Sequence, residues 1–298
     1  MQVFVTGGSG QTGPTVVAEL ITAGHSVTGL ARSDAAARTL ESLGAASVRG
    51  SLDDLDVLTA AAAAADGVVH MAYGGDFADP EPMMRRDVNA ITALGQALEG
   101  SGKPLVATSG TLVLPLGREG AETDAPDREG IAPFRIAGED ACLAFAARGV
   151  RAAVLRLAPT VHGPDDHGFM TLLVDTARRT GVSAYVGDGG NRWAAVHRAD
   201  AASLFRLALE GATAGSVLHG VAETVPFEKI AQTIGSGLDL PTVSLTAEAA
   251  ASHFDSPFMA LAFGADAPAS SIRTREQLGW VPRHAGLLDD LAGGDYLA

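Results

Sequence analysis

Glycines at 7, 10 and 13, in the stretch Gly7-Gly8-Ser9-Gly10-Gln11-Thr12-Gly13, follow directly on the apolar run Val3 to Thr6 and precede Val16, Val17 and Leu20 at helical spacing. Glycine is needed where a chain turns sharply and where backbone must come close to a phosphate, and the helix that follows aims its free N–H groups at the anion. The spacing G-x-x-G-x-x-G between a strand and a helix therefore predicts a pyrophosphate cradle built from Gly7, Ser9, Gly10, Gln11, Thr12 and Gly13, and with it a bound dinucleotide. Gly10 is expected to be the position where a branched side chain blocks the phosphate and resists a positive φ. A second apolar run, Ser26 to Leu30, leads to Arg32 and Ser33, 19 residues beyond Gly13. An acid at that distance commonly binds the ribose hydroxyls of NAD. A guanidinium beside a hydroxyl suits a 2′-phosphate instead, so Arg32 and Ser33 predict NADP(H) in preference to NAD(H).

Two further groups carry polar chemistry. Thr108-Ser109-Gly110-Thr111 closes an apolar run and offers Ser109 and Thr111 as hydroxyls for a substrate oxygen. His162-Gly163-Pro164-Asp165-Asp166-His167 gathers imidazoles and carboxylates within six residues. That segment is a Gly-Pro turn without further Cys or His support, so no metal site is expected there.

These groups need elements to hold them. Val3-Phe4-Val5, Ser26 to Leu30, Val68 to Met71, Leu105 to Thr108 and Ala153 to Leu155 alternate with helix-length segments, which predicts a parallel sheet with crossover helices. The run Ala60 to Ala65 follows Asp53, Asp54 and Asp56 and reads as a helix, since acids mark a first turn. Beyond Gly163 the rhythm gives way to Gly- and Pro-rich stretches, Gly181 to Gly190 and Gly235 to Pro241, expected as loops. The expected architecture is α/β, a Rossmann-type doubly wound parallel sheet with a smaller C-terminal substrate lobe. Residues 1–163 form the dinucleotide-binding part, 195–222 return to it, and 164–194 with 223–298 make the lobe.

Composition narrows the partners. The 21 basic and 35 acidic residues leave a net charge of −14, which repels nucleic-acid backbones and anionic membrane surfaces at long range, so neither partner is expected. A pyrophosphate is still accommodated, because backbone N–H groups hold it locally. The one cysteine, Cys142, lies in an apolar helical pattern and reads as core filler suited to a reducing compartment. Gln2 to Thr6 already reads as a core strand, which leaves no room for a cleaved leader, and the cytoplasm is expected. Nothing in the sequence fixes the oligomeric state.

The glycine loop, Asp87-Val88-Asn89, Thr108-Ser109-Gly110-Thr111, the segment Arg156 to Pro164, Val196 to Asp200 and Leu278-Gly279-Trp280-Val281-Pro282 together resemble extended and atypical short-chain dehydrogenases/reductases, essentially from end to end. Within them the chain is similar to angucyclinone ketoreductases of antibiotic pathways. The resemblance implies cofactor contacts from Met71, Ala72, Thr108, Pro159 and Val161, and substrate contacts from Tyr73, His162, His167, Phe169, Met170, Trp193 and His197. Aromatic and methionine side chains at those places suit a flat apolar ligand.

That family ordinarily uses Tyr-x-x-x-Lys, in which the phenol moves the proton and the lysine lowers its pKa. The tyrosines here are Tyr73, Tyr185 and Tyr296 and the lysines Lys103 and Lys229, so no tyrosine is followed four residues on by a lysine. Aligning Glu139 and Arg156 with the family pattern places Ile131 at the tyrosine and Arg135 at the lysine. Arg135 can keep a ribose contact but does not release a proton. The proton is then expected from the substrate itself, through a phenolic hydroxyl beside the carbonyl. The expected activity is NADPH-dependent reduction of a polycyclic aromatic ketone. The alternatives are a nucleotide-sugar epimerase or dehydratase, against which the missing pair argues, and a non-catalytic dinucleotide-binding redox sensor.

Overall fold

Short apolar runs that alternate with helices can bury both faces of a strand only inside a covered parallel sheet. In the computed structural model, which describes residues 1–74, 79–293 and 295–297, the chain builds that sheet first. The first half runs β1 (Gln2–Thr6), α1 (Gly13–Thr22), β2 (Ser26–Ala31), α2 (Asp34–Ser42), β3 (Ala46–Arg49), α3 (Leu55–Ala64), β4 (Gly67–His70), α4 (Pro80–Leu98), β5 (Pro104–Gly110), α5 (Ile136–Ala144) and β6 (Arg151–Leu157). There follow β7 (Thr160–His162), α6 (Phe169–Thr180), β8 (Ser183–Val186), β9 (Arg192–His197), α7 (Arg198–Gly211), β10 (Ser216–Gly220) and β11 (Glu223–Pro226). The chain ends with α8 (Phe227–Leu238), β12 (Thr242–Leu245), α9 (Ala247–His253), α10 (Pro257–Gly264), α11 (Ile272–Leu278) and α12 (Leu287–Gly293).

The main sheet has seven strands in the order β10-β6-β5-β4-β1-β2-β3, and every pairing in it is parallel. This is the α/β, Rossmann-like architecture. Strand order reverses between β1 and β4, which opens a crevice at the carboxyl ends of those two strands. The pleat sends alternate side chains to opposite layers. Val3 and Val5 pack under α1 and α7, whereas Phe4 packs with Leu58, Leu94 and Leu105 on the other face. One continuous apolar cluster joins Val3 to Trp193, Phe263 and Leu287, so sheet and lobe share a core.

Three local readings change. β3 is an edge strand whose side chains are only partly buried, and its short polar run carries too little apolar pattern to be seen in the sequence. Gly181 to Gly190 contains β8, which pairs with β12. Gly235 lies inside α8, where a Cβ would come within 2.5 Å of the Thr242 hydroxyl; the glycine permits close packing there instead of breaking the helix. Residues 75–78, 294 and 298 lie outside the described residues. Among the described residues no helix is long and apolar enough to cross a membrane.

Cys142 is buried against β6, its Sγ 3.6 Å from the Ala153 carbonyl, and burial pushes its thiol up to about 12. Nearby, Arg156 and Glu139 form a buried two-point ion pair at 2.9 and 2.7 Å that pins α5 to β6. This pin fixes the helix start at which Arg135 stands.

Candidate active site

A cleft of about 680 Å³ opens at the reversal between β1 and β4. Its floor is the glycine loop: Gly7, Ser9, Gly10, Gln11, Thr12 and Gly13 all line it. Gly7 has φ +75°, and a Cβ on it would stand 2.7 Å from the Ala72 nitrogen. A Cβ on Gly13 would stand 2.1 Å from the Gly7 carbonyl oxygen, inside any allowed contact. Gly10 differs from expectation: its φ is not left-handed, and a Cβ there would meet only the Gly7 oxygen at 3.3 Å. The steric demand of the loop thus falls on Gly7 and Gly13. Thr12 makes no side-chain cap on α1, and Pro14 in the first turn has no N–H to satisfy. A loop with no room for side chains at Gly7 and Gly13 that runs into an uncapped helix N-terminus fits a dinucleotide pyrophosphate.

Arg32 lines the cleft directly after β2 and has no carboxylate partner among the described residues. Ser33 is committed elsewhere: its hydroxyl accepts from the Ala36 N–H at 3.1 Å as the N-cap of α2. Met71, Ala72, Tyr73 and Thr108 form the wall at the ends of β4 and β5. Pro159 and Val161 do not reach the wall; Leu157, at the end of β6, stands in it. Ser51, Leu52, Asp53 and Arg86 also line the cleft and escaped the sequence reading, with Arg86 donating to Asp53 at 3.1 Å. Their one signal was Gly50, which directly follows β3. The acids after it were read only as a helix start.

The residues expected to receive substrate separate. Tyr73 stands in the cleft. Ser109 and Thr111 are buried with hydroxyl oxygens that have no partner among the described residues, and neither lines the cleft. Trp193 and Met170 are fully buried in the core of the lobe. Phe169 leans on Trp193 and Phe263, with ring centroids 5.9 and 5.7 Å away. The rings pack on one another and, with Met170, line neither the cleft nor the smaller cavity beside His167. His162 is buried, its Nδ1 2.8 Å from Asp290. His197 accepts the Ala199 N–H at 3.1 Å and caps α7. His167 lies beside a separate cavity of about 280 Å³ with Asp290 and Tyr296, and its backbone N–H donates to Gln11 at 3.0 Å.

Ile131 is half-buried and packs on the core, as an apolar side chain should. Arg135 ends a 3-10 turn, Pro133–Arg135, just before α5 and points back toward the cleft wall. Its guanidinium donates to the Thr108 carbonyl and stands 3.4 Å from Asp87 Oδ2. The same cation covers the Tyr73 ring, 3.6 Å from its centroid. Burial raises the Tyr73 phenol above its usual range, and the Arg135 charge opposes that rise. Arg135 therefore belongs to a buried polar network at the cleft wall and is not a solvated arginine.

Fold and cleft together define a dinucleotide-binding α/β protein of Rossmann type. The chain belongs to the NAD dependent epimerase/dehydratase family, which matches residues 3–219. It is 45% identical to an uncharacterized protein of Schizosaccharomyces pombe, over 99% of this chain and 100% of the relative. It is 28% identical, over 90% of this chain and 84% of the relative, to the 4-hydroxy-2-methyl-3-oxo-4-farnesyl-3,4-dihydroquinoline-1-oxide ketoreductase of Stigmatella aurantiaca. Among solved structures it is similar in fold to the dTDP-glucose 4,6-dehydratase DesIV of Streptomyces venezuelae, solved with NAD bound. The TM-score is 0.80 at 18% identity, over 98% of this chain and 95% of that one.

Proposed function

We propose that this protein is an NADPH-dependent ketoreductase acting on a ring-fused aromatic ketone. The observation that carries the reading is Arg32, a guanidinium in the cleft wall with no carboxylate partner among the described residues, at the place where a 2′-phosphate would lie. Gly7 to Gly13 would hold the pyrophosphate, and Leu30, Ser51 and Leu52 the adenosine. NADPH, when bound, supplies the hydride. The chain's own contribution is to orient the ketone against the wall formed by Met71, Tyr73 and Thr108, since positioning alone can supply a large part of a rate enhancement.

The Stigmatella relative, named for an oxo-dihydroquinoline ketone, supports reduction of a fused-ring carbonyl. The polycyclic, angucyclinone-like ketone that the sequence resemblance implies is the finest form of the reading and the first compound to test. Nucleotide-sugar chemistry, which begins by removing a sugar hydroxyl proton, is the alternative reading; the resemblance aligns Ile131 with the family's tyrosine, and the assay below decides between the two. The test is NADPH absorbance with aromatic ketones, quinones and nucleotide sugars in parallel. Oxidation of NADPH by the ketones is the expected outcome. Turnover confined to nucleotide sugars, or cofactor binding without turnover of any carbonyl, overturns the reading.

A further inference from the structure

We propose that Tyr73 is the proton donor of this reduction and that Arg135 is the positioning residue that holds it, so that the pair absent as Tyr-x-x-x-Lys is rebuilt from two other places in the chain. This rests on the carbonyl reduction proposed above. Tyr73 follows β4 by three residues and lines the cleft beside Met71 and Ala72. Its ring lies against the Arg135 guanidinium at 3.6 Å. Its hydroxyl oxygen is buried at the cleft wall, and the Arg135 guanidinium is the cation that acts on it.

One network fixes both members. Arg135 is held by the Thr108 carbonyl and by Asp87. The other oxygen of Asp87 accepts from His70 Nε2 at 3.0 Å. With that nitrogen carrying the proton, His70 Nδ1 accepts the Thr6 hydroxyl at 2.8 Å. The Thr6 oxygen in turn accepts the N–H of Ala72, the residue before Tyr73, at 3.3 Å. The bonds thus run from the cation through a buried carboxylate and imidazole to the backbone that carries the phenol. Gly138 makes room for this: a Cβ there would stand 2.5 Å from Asp87 Oδ2. The rival hydroxyls of Ser109 and Thr111 lie outside the cleft walls and have no cation against them. His162 is bound to Asp290, and His167 lies at the separate small cavity.

The step balances as follows. The carbonyl carbon accepts a hydride from the reduced nicotinamide, and the C=O π pair becomes a lone pair on oxygen. The Tyr73 O–H bond breaks, a new O–H bond forms on the substrate oxygen, and the phenolate left beside Arg135 regains a proton from water. Burial keeps the phenol loaded at neutral pH, and the adjacent cation favours the phenolate that remains.

Tyr73→Phe removes one oxygen and keeps the ring against Arg135, so fold and NADPH affinity are expected to survive, as read by circular dichroism and cofactor titration. Single-turnover ketone reduction should fall about 10²- to 10⁴-fold. In the cofactor-free protein, alkaline ultraviolet titration should lose one phenol ionisation in Tyr73→Phe. The same ionisation should move to higher pH in Arg135→Met and return in Arg135→Lys. A wild-type protein that reduces no carbonyl overturns the function reading and this assignment with it. A wild-type protein that reduces ketones, beside a Tyr73→Phe variant of equal rate, overturns Tyr73 alone. Loss of turnover when a hydroxyl next to the carbonyl is methylated, with Tyr73→Phe unimpaired, assigns the proton to the substrate. A phenol titration unchanged in both Tyr73→Phe and Arg135→Met overturns the pairing.

Discussion

Around the cleft, Arg32 presents a guanidinium that no neighbouring side chain claims by hydrogen bond or ion pair among the described residues, and the Tyr73 phenol stands in the wall against the Arg135 cation. In the lobe, Phe169, Trp193, Phe227, Phe254 and Phe263 claim one another, with neighbouring ring centroids between 5.0 Å (Phe254 and Phe263) and 5.9 Å (Phe169 and Trp193). Even the indole N–H of Trp193 is satisfied, donating to the Thr160 hydroxyl at 2.7 Å. The contrast teaches how to tell a site from a core when both are rich in rings. A core closes its ring faces on one another, even where single polar atoms such as the Ser109 and Thr111 hydroxyls stay unpartnered, whereas a site opens a charged group toward a volume large enough for a ligand.

The strongest test of that contrast removes a lobe ring. Trp193→Ala empties a fully buried position and should cost about 3–5 kcal/mol in a denaturant titration. NADPH affinity measured under folded conditions should stay as in the wild type. A variant that keeps its stability but loses the cofactor would move the lobe into the site. The converse change is Gly13→Ala, whose added carbon would stand 2.1 Å from the Gly7 oxygen. The loop must shift, at a stability cost of about 1–3 kcal/mol, and cofactor binding should vanish. Gly10→Ala, with its nearest contact at 3.3 Å, should do less harm in the same titration. Equal loss in the two variants would mean that ligand contact, not backbone crowding, selects these glycines.

The same contrast explains what the sequence made legible. Gly7 to Gly13 could be read because a strand, a glycine spacing and a helix are contiguous, and the phosphate chemistry lives in backbone geometry alone. Arg32 could be read because it sits a fixed distance along the same β-α-β unit. The pairing of Tyr73 with Arg135 could not, since the two are 62 positions apart and meet only after β4 and β5 align. Asp87 was read only as part of a family segment and His70 only as part of a strand, since nothing local shows that the two join that pairing. Trp193 and Met170 were placed in a pocket because residue type alone cannot distinguish a ring facing a ligand from a ring facing another ring. Edge strand β3 and the interior of α8 were missed for a related reason. Their identity is set by neighbours, Thr28 to Ala31 beside β3 and Thr242 beside Gly235, and not by their own composition.

A smaller effect sharpens the cleft side. Arg32→Asp should weaken NADPH by about 1.5–3 kcal/mol, the range of a hydrogen bond to a charged group, and should leave NADH nearly unaffected. Paired titrations of both cofactors on both proteins measure it, and an unchanged preference would remove Arg32 from the site. Folding stability should not move, because Arg32 makes no ion pair among the described residues.

The least effect is expected on the lobe side, from acid. His197 caps α7 by accepting the Ala199 N–H on Nδ1, and its ring stacks on His284 at 4.7 Å and meets His162 edge-on at 5.4 Å. Burial holds its pKa below the ordinary 6.5, aided by the neighbouring His162 and His284 and opposed by Asp290 and Asp200. The unfolded chain therefore binds a proton near pH 6.5 that the folded chain still refuses. Stability is fully present above that pH and is lost as pH falls toward the folded value. Protonation also turns the Nδ1 acceptor into a donor and sets a positive charge at a helix N-terminus, so the cap, worth about 0.5–2 kcal/mol, goes with it. His219 and His253 are likewise held low by burial and add to the slope. His197→Asn keeps a capping acceptor that does not titrate. Urea melts from pH 7.5 to 5 should then show a shallower acid loss than the wild type, by about one proton at most. Melts that superimpose at every pH would leave the acid sensitivity to His219 and His253 and strip His197 of its part in it.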